Sequence, residues 1–211
     1  MTSKKPPFAA LAVCLVTVAG LLWSAPARAG GDGDGTRAVR SANDTIAKLL
    51  RRKVEPGSAE EKRLATRVTE SVRAFLDVDE LGRQALVDHW DRLEEAKRNE
   101  FLSVLRQLIE RNYVRGLRAN LDYQVAYTGE RRDGDTLRVA TEIHTKRRGR
   151  PYTVSIDYVL RRQGKDWRAF DVVTDGVGLV ENYRAMFNKI ITKEGFDGLL
   201  RRMKKKLAEL G

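Results

Sequence analysis

A chain of 211 residues, of which 42% are hydrophobic and 33% are charged, is long enough to bury one sizeable core. Its single cysteine, Cys14, lies in an apolar N-terminal run, so the rest of the chain has no disulfide, thiol nucleophile or cysteine metal site. The formal net charge of +11 is compatible with nucleic acid, anionic lipid or an acidic protein as the partner. A basic face that is merely solvated explains this charge equally well.

Residues 1–29 have the order of a secretory signal peptide. Lys4 and Lys5 form a positive start, residues 8–22 are almost all apolar, and residues 27–29 supply a small-residue cleavage site. The apolar run is shorter than the roughly 20 residues that cross a bilayer, which favours cleavage over a membrane anchor. We therefore predict export to the periplasm. Cleavage would remove three cations, lowering the net charge from +11 to +8, and export argues against a nucleic-acid partner.

The mature chain begins with a Gly- and Asp-rich stretch. Residues 30–36 predict a flexible leader, and residues 37–211 predict a single domain. Apolar residues at helical spacing predict helices. Ser58 with Glu61 has the sequence of an N-terminal capping box, and Asp77 with Glu80 predicts a second helix cap. The helical patterns cover residues 39–50, 58–75, 77–86, 94–118, 177–191 and 196–207.

Between the long fourth helix and the C-terminal helices, the apolar period changes from helical to two. Runs starting near Tyr123, Leu137, Tyr152 and Trp167 alternate apolar and polar residues, and glycine-containing turns separate them. This pattern predicts an α+β fold. A four-stranded, or slightly larger, curved antiparallel sheet is wrapped by the N- and C-terminal helices.

The sequence lacks the motifs of common catalytic and metal sites. His89 and His144 have no metal-ligand spacing to a second histidine, and no GxSxG, HExxH, Walker or GxGxxG pattern occurs. We therefore predict neither an enzyme nor a cofactor or metal. One alternative remains open, because Asp171 and Asp175 flank the last strand and could serve as acid and base in a concave sheet.

Alternation also predicts one apolar sheet face that helices must cover. Complete cover would give an ordinary core, whereas incomplete cover would leave a cleft for a ligand. Periodicity does not separate these outcomes and, taken alone, favours the ordinary core.

A block near the C-terminus resembles the signature of the MlaC (toluene-tolerance) family. The block runs from Trp167 to Arg184, with Asp171 to Arg184 its most specific part, and family-like residues continue at Phe187, Ile190 and 195–199. Upstream, His89-Trp90, residues 98–101 and Tyr113 fit the same family. The resemblance covers the whole mature chain. It departs from the family pattern at Asp175, where glutamate is usual, and at Gly178, where serine is usual.

The resemblance implies a periplasmic phospholipid-binding carrier. Members of this family shuttle lipid between the outer membrane and an inner-membrane ABC transporter, and so maintain outer-membrane lipid asymmetry. The implied partners are the MCE-domain subunit of that transporter and an outer-membrane lipoprotein complex, with phospholipid as bound cargo. The implied fold encloses a deep apolar pocket for the acyl tails, which favours the pocket over the ordinary core.

Candidate pocket residues come from the inward-alternating strand positions and the signature block. They are Val139, Ile143, Val154, Ile156, Tyr158, Val173, Val177, Leu179 and Tyr183, with Tyr113 and Leu117 closing the far side. Ordinary core packing is the alternative for each of them. A monomer is expected.

Two other functions remain as alternatives to the lipid carrier. A small-molecule enzyme on a cone-shaped sheet predicts titratable side chains converging in the cavity. A ligand-free envelope adaptor predicts a fully packed interior.

Overall fold

The structure, a computed structural model, describes residues 33–55, 57–119, 123–147 and 149–210, and of these the side chains of 112–119 and 147 are not described. The described helices are α1 (Asp34–Leu50), α2 (Ala59–Phe75), α3 (Val78–Ala85), α4 (Glu95–Ala119) and α5 (Leu179–Leu210), with a short 3-10 helix at Trp90–Arg92. The strands are β1 (Tyr123–Asp133), β2 (Thr136–Arg147), β3 (Arg150–Gln163), β4 (Asp166–Thr174) and β5 (Val177–Gly178). The α+β prediction is confirmed.

The N-terminal boundary differs from the prediction. The signal peptide predicted at residues 1–29 and the first residues of the predicted leader lie outside the described residues. Helix α1 begins at Asp34, so the last three residues of the leader predicted at 30–36 are helical. They are held by Glu130 of β1, whose Oε2 accepts hydrogen bonds of 2.8 Å from both the backbone N and Oγ1 of Thr36.

Side-chain caps begin two of the helices as the sequence predicts. Ser58 Oγ accepts a hydrogen bond of 3.0 Å from the backbone N of Glu61 at the start of α2. Asp77 Oδ1 accepts one of 3.1 Å from the backbone N of Glu80 at the start of α3. Each cap satisfies one of the backbone donors that a helix N-terminus leaves free. In the described parts of the chain, no helix has the length and apolar composition needed to cross a bilayer.

The strands form one antiparallel meander in the order β1-β2-β3-β4-β5. The sheet has five strands, which agrees with the prediction of four or slightly more, and the fifth arises because the two residues of β5 pair with the end of β4. The register shifts between Tyr127 and Gly129 on β1, and again where β3 passes from Val159 to Leu160 opposite β4. Such bulges bend the strand and change which residues point to each face.

The helices pack on one end of one sheet face. Phe75 of α2 meets Tyr158 of β3 edge to face, with ring centroids 5.8 Å apart. Gly35 of α1 lies so close to the sheet that a Cβ there would be 3.0 Å from both Leu137 and Val139. Helix α5 is broken at Gly195, where φ is 69°, and its first half stacks Tyr183 on Phe187 in the core.

A buried ionic cluster joins α3 to the sheet. Glu80 is 6% exposed and accepts hydrogen bonds from Arg161 of β3 (2.9 Å), Arg83 (2.6 Å) and Gln84 (2.8 Å). Burial by itself would raise the pKa of Glu80, but the hydrogen bonds from Arg83 and Gln84 and the charge of Arg161 outweigh it and hold the pKa below 4.5. Arg161 also binds Asp77 at 2.8 Å, so one guanidinium ties β3 to the start of α3.

We predict that Glu80→Gln lowers the free energy of unfolding by about 2 kcal/mol at neutral pH, because the amide presents an NH₂ group to the guanidinium of Arg161. Because the pKa of Glu80 is lower in the folded state, its contribution to the free energy of unfolding is fully present above pH 4.5. That contribution is lost as the pH falls through the folded-state pKa. The gap between variant and wild type should therefore narrow below about pH 4. Chemical denaturation at neutral and acidic pH measures both effects. The control Glu100→Gln removes only an exposed partner of Lys204 and should cost less than about 1 kcal/mol.

Candidate functional site

The inner face of the sheet consists of rows of side chains that lie opposite one another across the strands. Residues paired directly across antiparallel strands point to the same face. The rows, from the turn that joins β1 to β2 toward the turn that joins β2 to β3, are Arg132-Leu137-Leu160-Ala169; Glu130-Val139-Tyr158-Val172; Tyr127-Thr141-Ile156-Thr174-Val177; Val125-Ile143-Val154; and Tyr123-Thr145-Tyr152.

One end of this face is closed. The closed end comprises Leu137, Val139, Tyr158, Leu160 and Ala169, which are at most 5% exposed. Helix α1 crosses the sheet beside it: Asn43 Nδ2 donates a hydrogen bond of 3.2 Å to the Tyr127 hydroxyl, and the Arg40 guanidinium lies 4.0 Å from the centroid of the same ring. The contacts at Tyr127 mark where the cover given by α1 stops.

The other end of the face is open and still apolar. The open face comprises Tyr123, Val125, Ile143, Thr145, Tyr152, Val154, Ile156 and Val177. Seven of these are half-buried, and Val177 is 54% exposed. Along β3 the open face extends from Tyr152 to Ile156, roughly 13 Å at the rise of a strand. Side chains that contact water are usually polar. A contiguous set of partly exposed Val, Ile and Tyr side chains is therefore typical of a surface that binds an apolar ligand.

The predicted pocket residues separate into groups. Ile143, Val154, Ile156 and Val177 share the open face. Leu179 is half-buried against the core. Tyr113 and Leu117 have side chains outside the described residues.

Four of the predictions are corrected by the structure. Val139, Tyr158 and Tyr183 are 0%, 5% and 7% exposed, so they pack in the core and have almost no surface to offer a ligand. Burial also raises the pKa of the Tyr183 phenol to about 12. Val173 pairs with Asp157 and Gly178 and therefore lies on the outer face of the sheet.

Sequence reasoning left four open-face residues out of the pocket set: Tyr123, Val125, Thr145 and Tyr152. Tyr123, Val125 and Tyr152 belong to the same two-residue alternation that identified their strands. Pairing the predicted strands across the turn at Gly149 would have placed Tyr152 beside Thr145 and Val154 beside Ile143. The register across a hairpin was thus the missing signal.

The signature block builds the junction between the sheet and α5. Asp171 Oδ1 accepts a hydrogen bond of 3.0 Å from the backbone N of Val180 in the first turn of α5. Asp175 adopts a positive φ of 48°, and both its backbone N and its Oδ1 bond the backbone of Ser155, at 3.0 and 3.1 Å. Arg184 donates to the carbonyl oxygen of Gln84 at 2.8 Å. These contacts position α5 and give each polar group a structural partner.

The histidines also have structural partners. His89 Nε2 lies 2.8 Å from Asn188 Oδ1, and His144 Nδ1 lies 3.0 Å from Thr153 Oγ1. In the described part of the chain, no three His, Cys, Asp or Glu side chains are grouped closely enough to hold a metal ion. Between the rows of Tyr127 and Tyr123, the described inner face carries no carboxylate or imidazole.

A separate cleft of about 430 Å³ lies between the end of α1 and the start of α2. It is lined by Arg52, Glu60, Arg63, Leu64 and Arg67, and Arg52 pairs with Glu60 at 3.3 Å. Its charged lining is unsuited to an apolar ligand, so it is distinct in chemistry from the open face.

Three comparisons with known proteins agree. The family model described as "MlaC protein" matches residues 40–205. The curated protein "Intermembrane phospholipid transport system binding protein MlaC" of Haemophilus influenzae is 20% identical over 148 residues, which are 69% of each chain. The solved structure of a phospholipid-binding protein from Ralstonia solanacearum, in complex with a phospholipid, superposes with a TM-score of 0.69 at 22% identity, covering 84% of this chain and 99% of that one. The structural match shows a shared fold.

We predict that the two ends of the inner face differ in their effect on stability. Val139→Ala at the closed end should lower the free energy of unfolding of the lipid-free protein by about 1.5–3 kcal/mol, because it leaves a cavity. Val154→Ala, the same change on the open face, should cost less than about 1 kcal/mol, since this side chain is already in contact with solvent. Urea denaturation of both variants measures the difference, and equal losses would contradict the division into two ends.

Proposed function

The chain belongs to the MlaC protein family, and on that premise we propose that it is a phospholipid-binding transport protein whose open face holds the acyl tails. The observation that carries the proposal is the half-exposed apolar surface that continues the closed core along the same sheet face. The Ralstonia solanacearum protein of the same fold was solved with a phospholipid, which supports the choice of ligand.

Hydrocarbon burial explains why such a carrier is needed. Each acyl methylene exposed to water costs about 0.8 kcal/mol, so two tails cost on the order of 20 kcal/mol and free lipid scarcely leaves a membrane. An apolar face lowers this cost without forming bonds that would prevent release. The open face offers Val, Ile and Tyr side chains and no charged group, so it can hold acyl tails and still release them.

The family resemblance and the predicted signal peptide support a more specific transport role. We propose that the protein works in the periplasm and carries phospholipid between the outer membrane and an inner-membrane ABC transporter. The MCE-domain subunit of that transporter and an outer-membrane lipoprotein complex are the proposed docking partners. Catalysis is not part of the proposal, because the described open face has no acid–base pair to perform it.

We predict that the native protein co-purifies with phospholipid and that Val154→Glu lowers the amount bound by at least about tenfold, because it places an unpaired carboxylate among the tails. Extraction followed by mass spectrometry measures the lipid per protein. The matched control is Thr153→Glu, which adds the same charge to the residue before Val154, on the outer face of β3. A folded Val154→Glu variant with its full lipid content would contradict the placement of the tails.

Wild-type protein without lipid, and unable to take it up from vesicles, would contradict the proposed function. It would favour the ligand-free adaptor instead.

A further inference from the structure

The apolar rows of the inner face end beside a cationic residue of β3. The last apolar row is Tyr123-Thr145-Tyr152, and the next residue of β3 on the same face toward the turn is Arg150. Arg150 precedes Tyr152 by two residues on β3, so its side chain points to the same face of the sheet as the open face.

The side chain of Arg150 is exposed and, among the described residues, takes part in no hydrogen bond or ion pair. Three arginines elsewhere on the sheet have partners. Arg161 binds Asp77 and Glu80, Arg138 binds Asp157, and Arg132 at the closed end lies 5.6 Å from the ring of Trp167. Arg150 thus has a guanidinium available to an external anion.

The inner face is therefore polarised. Its closed end is packed, its middle is apolar and partly exposed, and Arg150, the described side chain nearest the β2–β3 turn on this face, is cationic. A phospholipid has the same order of chemistry, with neutral tails and one anionic phosphate where they join. Only one orientation of the lipid matches the sheet face, with the tails along the open face and the phosphate at the β2–β3 turn.

We infer that Arg150 holds the phosphate of the bound lipid and fixes the headgroup at the β2–β3 turn. This inference rests on the proposed function. A guanidinium binds phosphate through paired N–H···O bonds. Because the site is exposed, the contact adds only about a threefold to fivefold preference for a lipid that carries a phosphate. A preference of this size selects the cargo and still permits its release.

The test compares two lipids that have identical tails. Lipid-stripped protein is equilibrated with phosphatidylglycerol vesicles that contain a minor fraction of diacylglycerol, and the ratio of the two lipids on the protein is measured by mass spectrometry. We expect Arg150→Gln to lower the ratio of phosphatidylglycerol to diacylglycerol about threefold to fivefold relative to wild type. A partly unfolded variant would lose both lipids alike, so the ratio reports the phosphate contact.

Two controls locate the effect. Lys165→Gln removes an exposed charge at the β3–β4 turn, at the opposite end of the sheet, and should leave the ratio unchanged. Lys146→Gln lies on the outer face of β2 and should also leave it unchanged. A ratio that all three variants lower equally would assign the effect to general attraction toward the anionic vesicle and overturn the inference.

The remaining outcomes separate the inference from the proposed function. If wild type and Arg150→Gln take up both lipids with the same ratio, the inference fails and the proposed function stands. If wild type takes up neither lipid, the proposed function fails. Calorimetry with inorganic phosphate alone should detect no binding that depends on Arg150, and such binding would overturn the inference in favour of a free phosphate ion.

Discussion

The proposed function of this protein depends on an apolar sheet face that the described helices cover at one end only. Burial of Leu137, Val139, Tyr158 and Leu160 supplies the core, while the side chains from Ile156 toward the turn keep contact with solvent. An ordinary fold would either cover this surface or make it polar, since exposed apolar area raises the free energy of the folded state. The same alternating strands therefore supply the core of the domain and leave an apolar surface in partial contact with solvent.

Polar contacts serve mainly to hold the helices in this arrangement. Arg161, Asp77 and Glu80 anchor α3 to β3, and Glu130 anchors the start of α1 to β1. Asp171 and Asp175 fix the turn into α5. The most family-specific block of the chain thus acts through architecture: it sets where α5 lies, and with it which part of the sheet is packed.

The arginines of the sheet differ in whether they have an acidic partner. Acids pair with Arg161 and Arg138 of the sheet, whereas Arg150 at the other end has no acidic partner among the described residues. An apolar surface that ends in a free cation suits an amphiphile better than a purely apolar ligand.

The amino-acid sequence predicts the elements and most of the strand faces, because caps, helical spacing and two-residue alternation are local properties of the chain. Ser58, Asp77 and the strand alternation were read correctly for that reason. Only the tertiary structure decided which residues of one face remain accessible, because that depends on where α1, α2 and α5 cross the sheet. The register shift opposite Val159 also places Ala169 and Val172, three residues apart, on the inner face. Alternation alone therefore put Val173 on the wrong side, since a bulge changes the parity of a strand by one residue.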